Sequence, residues 1–315
     1  MDDSCIPMVS VGIPTYNQSE FLRQAIQSVL NQTFQDFEVI VVDDCSTDNT
    51  PDVVRQFDDR RIRYHRTDVN LRPPRSWNEC VRIAQGEYFA ILPHDDLYEP
   101  TFLARMISAL DQNPSVGFAQ CAHFSVNEDL HVLEERYIAK KEFVARGEEA
   151  LLIQTRRHLM NPASILFRRN SVVKHGLWKV YYWDDEVLIL KIGFHDGFVY
   201  LPYCLSSVRA HSLNLSNTLI KEDFDSILAV INQETAIFAD VLPMTPTLLK
   251  LRSEWNRRCG YSCAFYALKA LMDWKWQTAK DFLVRSICLY PSVFIDPRFY
   301  ILVVKKIILK TFRIK

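Results

Sequence analysis

The chain has 315 residues, 48% apolar and 24% charged, an ordinary globular composition long enough for about two domains. Its 37 basic and 38 acidic side chains leave a net charge of −1, which makes no overall case for a nucleic-acid partner. Eight scattered cysteines form no CxxC pair and favour reduced thiols in the cytosol over a disulfide framework.

Val9 to Ile13 reads as a first strand, broken by Pro14 and followed by the loop Pro14-Thr15-Tyr16-Asn17. Ser19 is the expected N-cap of a helix over 20–32, because Phe21, Leu22, Ala25, Ile26, Val29 and Leu30 share one face at helical spacing. A second apolar run, Phe37 to Val42, ends in Asp43-Asp44-Cys45-Ser46. Thr50, with Pro51 behind it, is the expected N-cap of a short helix to Phe57. A third strand is predicted over 61–65, then a loop through Asn70 and Pro73-Pro74, then a helix over 76–84 stopped by Gly86. Tyr88 to Leu92 is a buried strand that runs into Pro93-His94-Asp95-Asp96.

This alternation, with strands apolar on both sides, predicts an α/β fold with a mostly parallel central sheet and helices on both faces. No GxGxxG follows the first strand, which argues against a dinucleotide fold. In a parallel sheet the clusters Thr15-Tyr16-Asn17, Asp43-Asp44 and Asp95-Asp96 lie along one edge, outside the carboxyl ends of the strands, where ligands collect. Tyr16 can stack on a base and Asp44 can accept a base N–H. Two adjacent carboxylates repel, and a divalent cation carrying a diphosphate would satisfy Asp95 and Asp96. Taken singly, each cluster is also explained by turn residues, and Asp95-Asp96 by a cap on a helix beginning near Pro100.

Together, Val9-Ser-Val-Gly-Ile-Pro-Thr-Tyr-Asn17, Phe37-Glu-Val-Ile-Val-Val-Asp-Asp44 with Ser46, and Gly86-Glu-Tyr with Asp95-Asp96 resemble the family 2 inverting glycosyltransferases of the GT-A fold, over about residues 7–215. The resemblance implies a nucleotide-sugar donor, commonly UDP-linked, and a divalent metal, Mn²⁺ or Mg²⁺, bridging its diphosphate. By that resemblance Pro14 and Tyr16, with Thr15 between them, flank the base and Asp44 bonds it. Asp95 reaches the ribose or the metal, and Asp96 the metal. Two departures stand out: Pro93 occupies a position where the family often has Asp, and Asn70-Leu71-Arg72 has arginine where glycine is common. Arg72 or Arg75 faces phosphate, or both are surface arginines.

In the second half, Val116 to Val126 reads as a strand, 130–150 is charged and shows no clear element, and Asn161 to Arg169 reads as a strand reaching the site from the acceptor side. Tyr181-Tyr-Trp-Asp184-Asp185-Glu186, with Leu188, Leu190 and Lys191 beyond, resembles the family's acidic dipeptide and helix. Asp185 takes the place of the general base, with Asp184 behind it; a solvated helix N-terminus is the other reading. Gly197 to Pro202 and Val208-Arg209-Ala210-His211 resemble the closing strand and its Arg-x-His element. There His211 is a metal ligand or a structural histidine, and Arg209 approaches the diphosphate. His94 is a further candidate beside the acidic pair.

Beyond residue 220 the motifs stop, and helices are expected over 228–242 and, as a hairpin, within 259–290. From Arg298 onward there are six basic residues and no acid, leaving −7 for residues 1–297. Apolar and basic positions alternate at helical spacing over 299–315, as in a helix lying in a membrane interface or one packed on the hairpin. No signal-peptide pattern opens the sequence and no run is long enough to span a bilayer, so a cytoplasmic protein, peripheral on the inner membrane face, is expected.

The expected organisation is a glycosyltransferase domain over 1–218, with a nucleotide-binding half over 1–100 and an acceptor half over 101–218, then a helical region over 219–315. The expected activity is metal-assisted, inverting sugar transfer to a hydroxyl on a surface glycan or lipid-linked intermediate. Two rivals are a non-catalytic nucleotide-sugar-binding or membrane scaffold protein, and a sugar-1-phosphate nucleotidyltransferase. The latter would carry a glycine-rich basic loop where Pro14 to Asn17 stand.

Overall fold

The computed structural model describes residues 6–157, 161–178, 184–211, 245–272 and 274–301. The chain divides into two units, Met1–Leu215 and Ser216–Lys315.

The first unit is built on a mixed ten-stranded sheet. Its opening elements are β1 (Val9–Thr15), α1 (Ser19–Leu30), β2 (Phe37–Asp43), α2 (Thr50–Arg55), β3 (Ile62–Arg66), α3 (Arg75–Ile83) and β4 (Tyr88–Ile91). Every residue of β1, β2 and β4 is buried, as strands covered on both faces require. The order β3-β2-β1-β4 is parallel throughout, with Thr15 opposite Asp43 at the carboxyl end. The turn signals between these runs set the boundaries to within a residue or two.

Three expectations in this half need correction. Asn49, not Thr50, holds the cap position of α2, and Thr50 is its first helical residue. The third strand is not apolar on both sides: it is the sheet edge, and Arg63, Tyr64 and Arg66 stand exposed on it. Ser19 does not cap α1. Gln18, at φ 61°, holds the cap position, and the Ser19 N–H is taken by Asp48 Oδ2 at 3.1 Å from the loop after β2. The cap is therefore a contact remote in sequence, which a local motif cannot reveal.

After β4 the pattern changes. The elements are β5 (Leu97–Tyr98), α4 (Phe102–Gln112), β6 (Phe118–Val126), β7 (Val132–Arg136), β8 (Phe143–Ala145), α5 (Gly147–Arg157), β9 (Ile165–Arg168), α6 (Arg169–His175), α7 (Asp184–His195) and β10 (Phe198–Arg209). β9 inserts antiparallel between β4 and β6, pairing Phe167 with both Phe89 and Phe118. β10 runs parallel to β6, and β5, β7 and β8 add antiparallel pieces. The stretch 130–150, unassigned from sequence, holds β7, β8 and the start of α5.

In the second unit α8 (Pro246–Met272) and α9 (Trp276–Leu289) form the expected hairpin. The helix expected over 228–242 and the tail beyond 301 lie outside the described residues. Among the described residues no helix is long and apolar enough to cross a membrane.

A buried polar knot ties the amino ends of the parallel strands, opposite the acidic edge. Glu38 accepts from the Ser10 hydroxyl at 2.6 Å, from the Gln85 N–H at 2.8 Å and from Arg63 at 2.6 Å. Ser10 Oγ in turn accepts the Gly86 N–H at 2.8 Å. A Cβ on Gly86 would lie 2.7 Å from the Ser10 nitrogen and 2.8 Å from the Val9 carbonyl carbon, so only glycine lets this turn close. Glu38→Ala strands the buried Ser10 hydroxyl and takes one acceptor from the Gln85 N–H, and is expected to lower the unfolding free energy by about 1–3 kcal/mol in urea titration. The half-exposed Arg63 adds little to that loss.

Candidate active site

The edge of the sheet opposite the knot carries the polar clusters. Thr15, the last residue of β1, is buried; its carbonyl accepts the Asp44 N–H at 2.8 Å. Tyr16 follows directly and stands exposed, 43% accessible, which leaves its ring free to meet a ligand. The two loops beyond are cross-linked: the Asn17 N–H donates to Ser46 Oγ at 2.8 Å, and Asn17 Oδ1 accepts the Thr47 N–H at 2.9 Å. The short polar run Ser46-Thr47-Asp48-Asn49-Thr50 supplies these latches and the α1 cap. None was assigned from sequence, although such density of Ser, Thr, Asp and Asn is the mark of side chains that bond backbone.

Asp43 and Asp44 point to different work. Asp43 is fully buried; its carboxylate accepts from the Ser46 N–H at 2.8 Å and from Tyr64 and Arg66 on the edge strand. Burial and the bond to Asp43 push the Tyr64 hydroxyl up to about 12. Asp44 accepts the Leu71 N–H at 2.6 Å, the Arg72 N–H at 2.7 Å and the Thr67 hydroxyl at 3.2 Å. It therefore holds loop 67–72 at the carboxyl end of β2. Arg72 and Arg75 are exposed at the start of α3.

The acidic pair sits just past β4. Asp95 Oδ2 lies 2.8 Å from His211 Nε2, across 116 residues of sequence. Asp96 Oδ1 accepts the Arg209 backbone N–H at 2.9 Å. His94 completes the turn, its Nδ1 3.2 Å from the Pro14 carbonyl. Burial and the charge of Asp95 push the Asp96 carboxyl well above the usual carboxylate range. Burial acts on Asp95 in the same sense, but the His211 hydrogen bond and the neighbouring His94 hold it below its ordinary value.

Arg209 explains how the pair is tolerated. It is 1% exposed, and its guanidinium is turned inward. Nε donates to the Asp95 carbonyl at 2.9 Å, Nη1 to the Glu128 carbonyl at 2.7 Å and Nη2 to Gln24 Oε1 at 2.7 Å, with the group 4.3 Å over the Phe21 ring. The geometry gives this arginine a supporting place behind the acidic turn, while the sequence suggested one facing diphosphate. Gln24 and Phe21, both from α1, had no sequence signal for this role.

At the acidic turn Asp95 and His211 bring a carboxylate oxygen and an imidazole nitrogen into contact. A carboxylate oxygen and an imidazole nitrogen already in contact suit adjacent positions on one ion. Among the described residues no group of three or more His, Cys, Asp or Glu is arranged to hold a metal. These two therefore fit an ion that completes its shell with ligand oxygens and water. The last predicted residue, Asp185, lies in the first turn of α7; its side chain is outside the described residues.

A parallel half joined through β9 to a mixed half, with an acidic turn after β4, defines a GT-A fold. The structure resembles S. aureus TarS 1-349 in complex with UDP (TM-score 0.71, 16% identical, 90% of this chain and 81% of that one). It also resembles the Pyrobaculum calidifontis mannosyltransferase PcManGT in complex with GDP-Man and Mn²⁺ (TM-score 0.56, 16% identical, 98% and 82%). Residues 10–176 match the model of glycosyl transferase family 2, and the chain belongs to that family. It is a glycosyltransferase. An uncharacterized glycosyltransferase of Rickettsia typhi is 28% identical over 227 residues, 69% of this chain and 68% of that protein. The succinoglycan biosynthesis protein ExoO of Rhizobium meliloti is 38% identical over 106 residues, 34% of this chain and 30% of that protein.

Removing the buried guanidinium leaves two carbonyls and a carboxylate pair uncompensated. Arg209→Ala is expected to lower the unfolding free energy by about 3 kcal/mol or more. Arg55→Ala, whose i,i+3 pair with Asp52 is solvent-exposed, should stay within about 0.5 kcal/mol. Chemical denaturation of the two variants side by side measures the contrast.

Proposed function

We propose that this glycosyltransferase moves a sugar from a UDP-linked donor, with inversion, to a hydroxyl of a surface glycan or lipid-linked intermediate. The observation that carries the reading is the meeting of three strand ends at one edge: Tyr16 after β1, the Asp44-shaped loop after β2, and the Asp95–His211 pair after β4. The exposed Tyr16 ring and loop 67–72 would take the base between them, with Pro14 and Thr15 as the floor. The bond that Asp44 gives the loop is compatible with a base N–H as a further donor to the same carboxylate, since a carboxylate offers about four acceptor sites.

The diphosphate would lie over the acidic turn. A divalent metal, Mn²⁺ or Mg²⁺, would be held by Asp95 and His211 with Asp96 behind them, and would supply Lewis-acid stabilisation of the leaving diphosphate. PcManGT, which binds Mn²⁺ with its donor, supports that assignment as a fold neighbour. Arg75, exposed at the start of α3, would meet the phosphates.

The chemical step is an in-line displacement at the anomeric carbon. The acceptor oxygen forms a bond to that carbon as the carbon–oxygen bond to the diphosphate breaks, and the acceptor proton passes to Asp185. A position in the first turn of α7 favours the ionised carboxylate that a base must be, because the helix N-terminus attracts negative charge. ExoO, named for succinoglycan biosynthesis, supports a polysaccharide acceptor. The basic composition of 299–315 supports a workplace on the inner membrane face.

Asp185→Asn is expected to lower kcat by about 10²–10⁴-fold, the usual contribution of a positioned base. Donor affinity should be unchanged, since the base touches only the acceptor. Single-turnover transfer with titrated donor separates the two. An unchanged kcat would return Asp185 to a helix-terminus role and bring Asp184 forward.

A further inference from the structure

The helical hairpin of the second unit ends in a feature that its own packing does not use. The inner faces of α8 and α9 are filled by Cys263, Ala267, Ala270, Ala279 and Phe282, all buried. At the turn between them Met272, Trp274 and Trp276 stand 79%, 78% and 63% exposed. The two indoles meet edge to face, 6.0 Å between centroids.

Trp274 occupies an unusual place. The Lys275 N–H donates to the Ala270 carbonyl at 2.9 Å and the Trp274 N–H to the Leu271 carbonyl at 3.1 Å, which closes the end of α8 with Trp274 at φ 57°. That left-handed position after a helix is normally glycine, and a bulky side chain there is strained. Here the bulky side chain returns nothing to the fold, because its ring faces solvent. Exposed leucines, Leu268 and Leu271, continue the apolar surface back along α8.

The charges around the tip are complementary to an acidic surface. Over residues 268–281 the sequence has Lys269, Lys275 and Lys280 against Asp273 and Asp281, a local excess of +1 in a chain that carries −7 over residues 1–297. Indoles are amphipathic and settle at the level of lipid headgroups, and lysines beside them gain from anionic lipid. We propose that the α8–α9 tip is an interfacial membrane anchor, with Trp274 and Trp276 inserted among the headgroups of an anionic bilayer. This contact is separate from the basic tail over 299–315, and it does not depend on the donor or acceptor assigned above.

The test is flotation of the 315-residue chain with phosphatidylcholine vesicles, with and without phosphatidylglycerol. The parent protein is expected to bind the anionic vesicles, less well as salt rises. Trp274→Gly combined with Trp276→Ser should weaken that binding about tenfold or more, as loss of two interfacial aromatics implies. Because glycine suits the left-handed position, the variant should melt no lower than the parent. A charge-reversed tail, Lys305→Glu with Lys306→Glu and Lys310→Glu, keeps both indoles and should retain the indole-dependent part of the binding. The proposal is overturned if the parent ignores anionic vesicles, or if the tryptophan variant binds as the parent does. It is equally overturned if the tail reversal alone removes all binding. Light scattering that shows the tryptophan variant losing self-association, with vesicle binding intact, would assign the tip to a protein contact instead.

Discussion

A buried guanidinium behind two adjacent carboxylates is the constraint on which the site depends. Asp95 and Asp96 cannot both be kept at the end of one strand without a compensating positive group, and the protein supplies it through Arg209 at the end of β10. Its backbone N–H bonds the Asp96 carboxylate, and its guanidinium bonds the Asp95 carbonyl and carries the favourable charge. The same side chain draws in α1 through Gln24 and the β6–β7 connection through Glu128. With Arg209 anchored, His211 two residues later is carried to Asp95.

The two ends of the parallel strands are specialised in opposite ways. At the amino ends, Glu38 and Ser10 close a polar knot whose members are all satisfied within the protein. At the carboxyl ends, loops are held by side chains such as Asp44, Asp48 and Ser46, while Tyr16 is left exposed. A rigid scaffold on one side and bonded loops on the other is what a site needs if its reacting groups are to be positioned before the substrate arrives.

The parallel half was legible because its information is local. Apolar runs of five to seven residues, punctuated by Pro14, Gly86 and the paired aspartates, specify buried strands and their ends. The mixed half was not, because β9 earns its place between β4 and β6 by pairing with partners about 80 and 50 residues away, which no window of sequence contains. The same reason hid the Asp48 cap and the inward turn of Arg209. For the site, residue types and positions were visible, but their division between ligand-facing and supporting roles was not. Asp44 was expected to meet a base and is found bonding loop 67–72; Arg209 was expected to meet phosphate and is found holding the acidic turn from behind.

The central claim is that one sheet edge binds a nucleoside diphosphate through a metal held at Asp95 and His211. Thermal unfolding of the intact chain with UDP, GDP, CDP, ADP and dTDP, each with Mn²⁺ and with EDTA, tests it most directly, since a ligand of the folded state raises apparent stability by mass action. The account predicts a rise with UDP in Mn²⁺ that EDTA removes, and that His211→Ala also removes. A rise of equal size in EDTA would contradict the metal assignment, and no rise with any nucleotide would contradict the site.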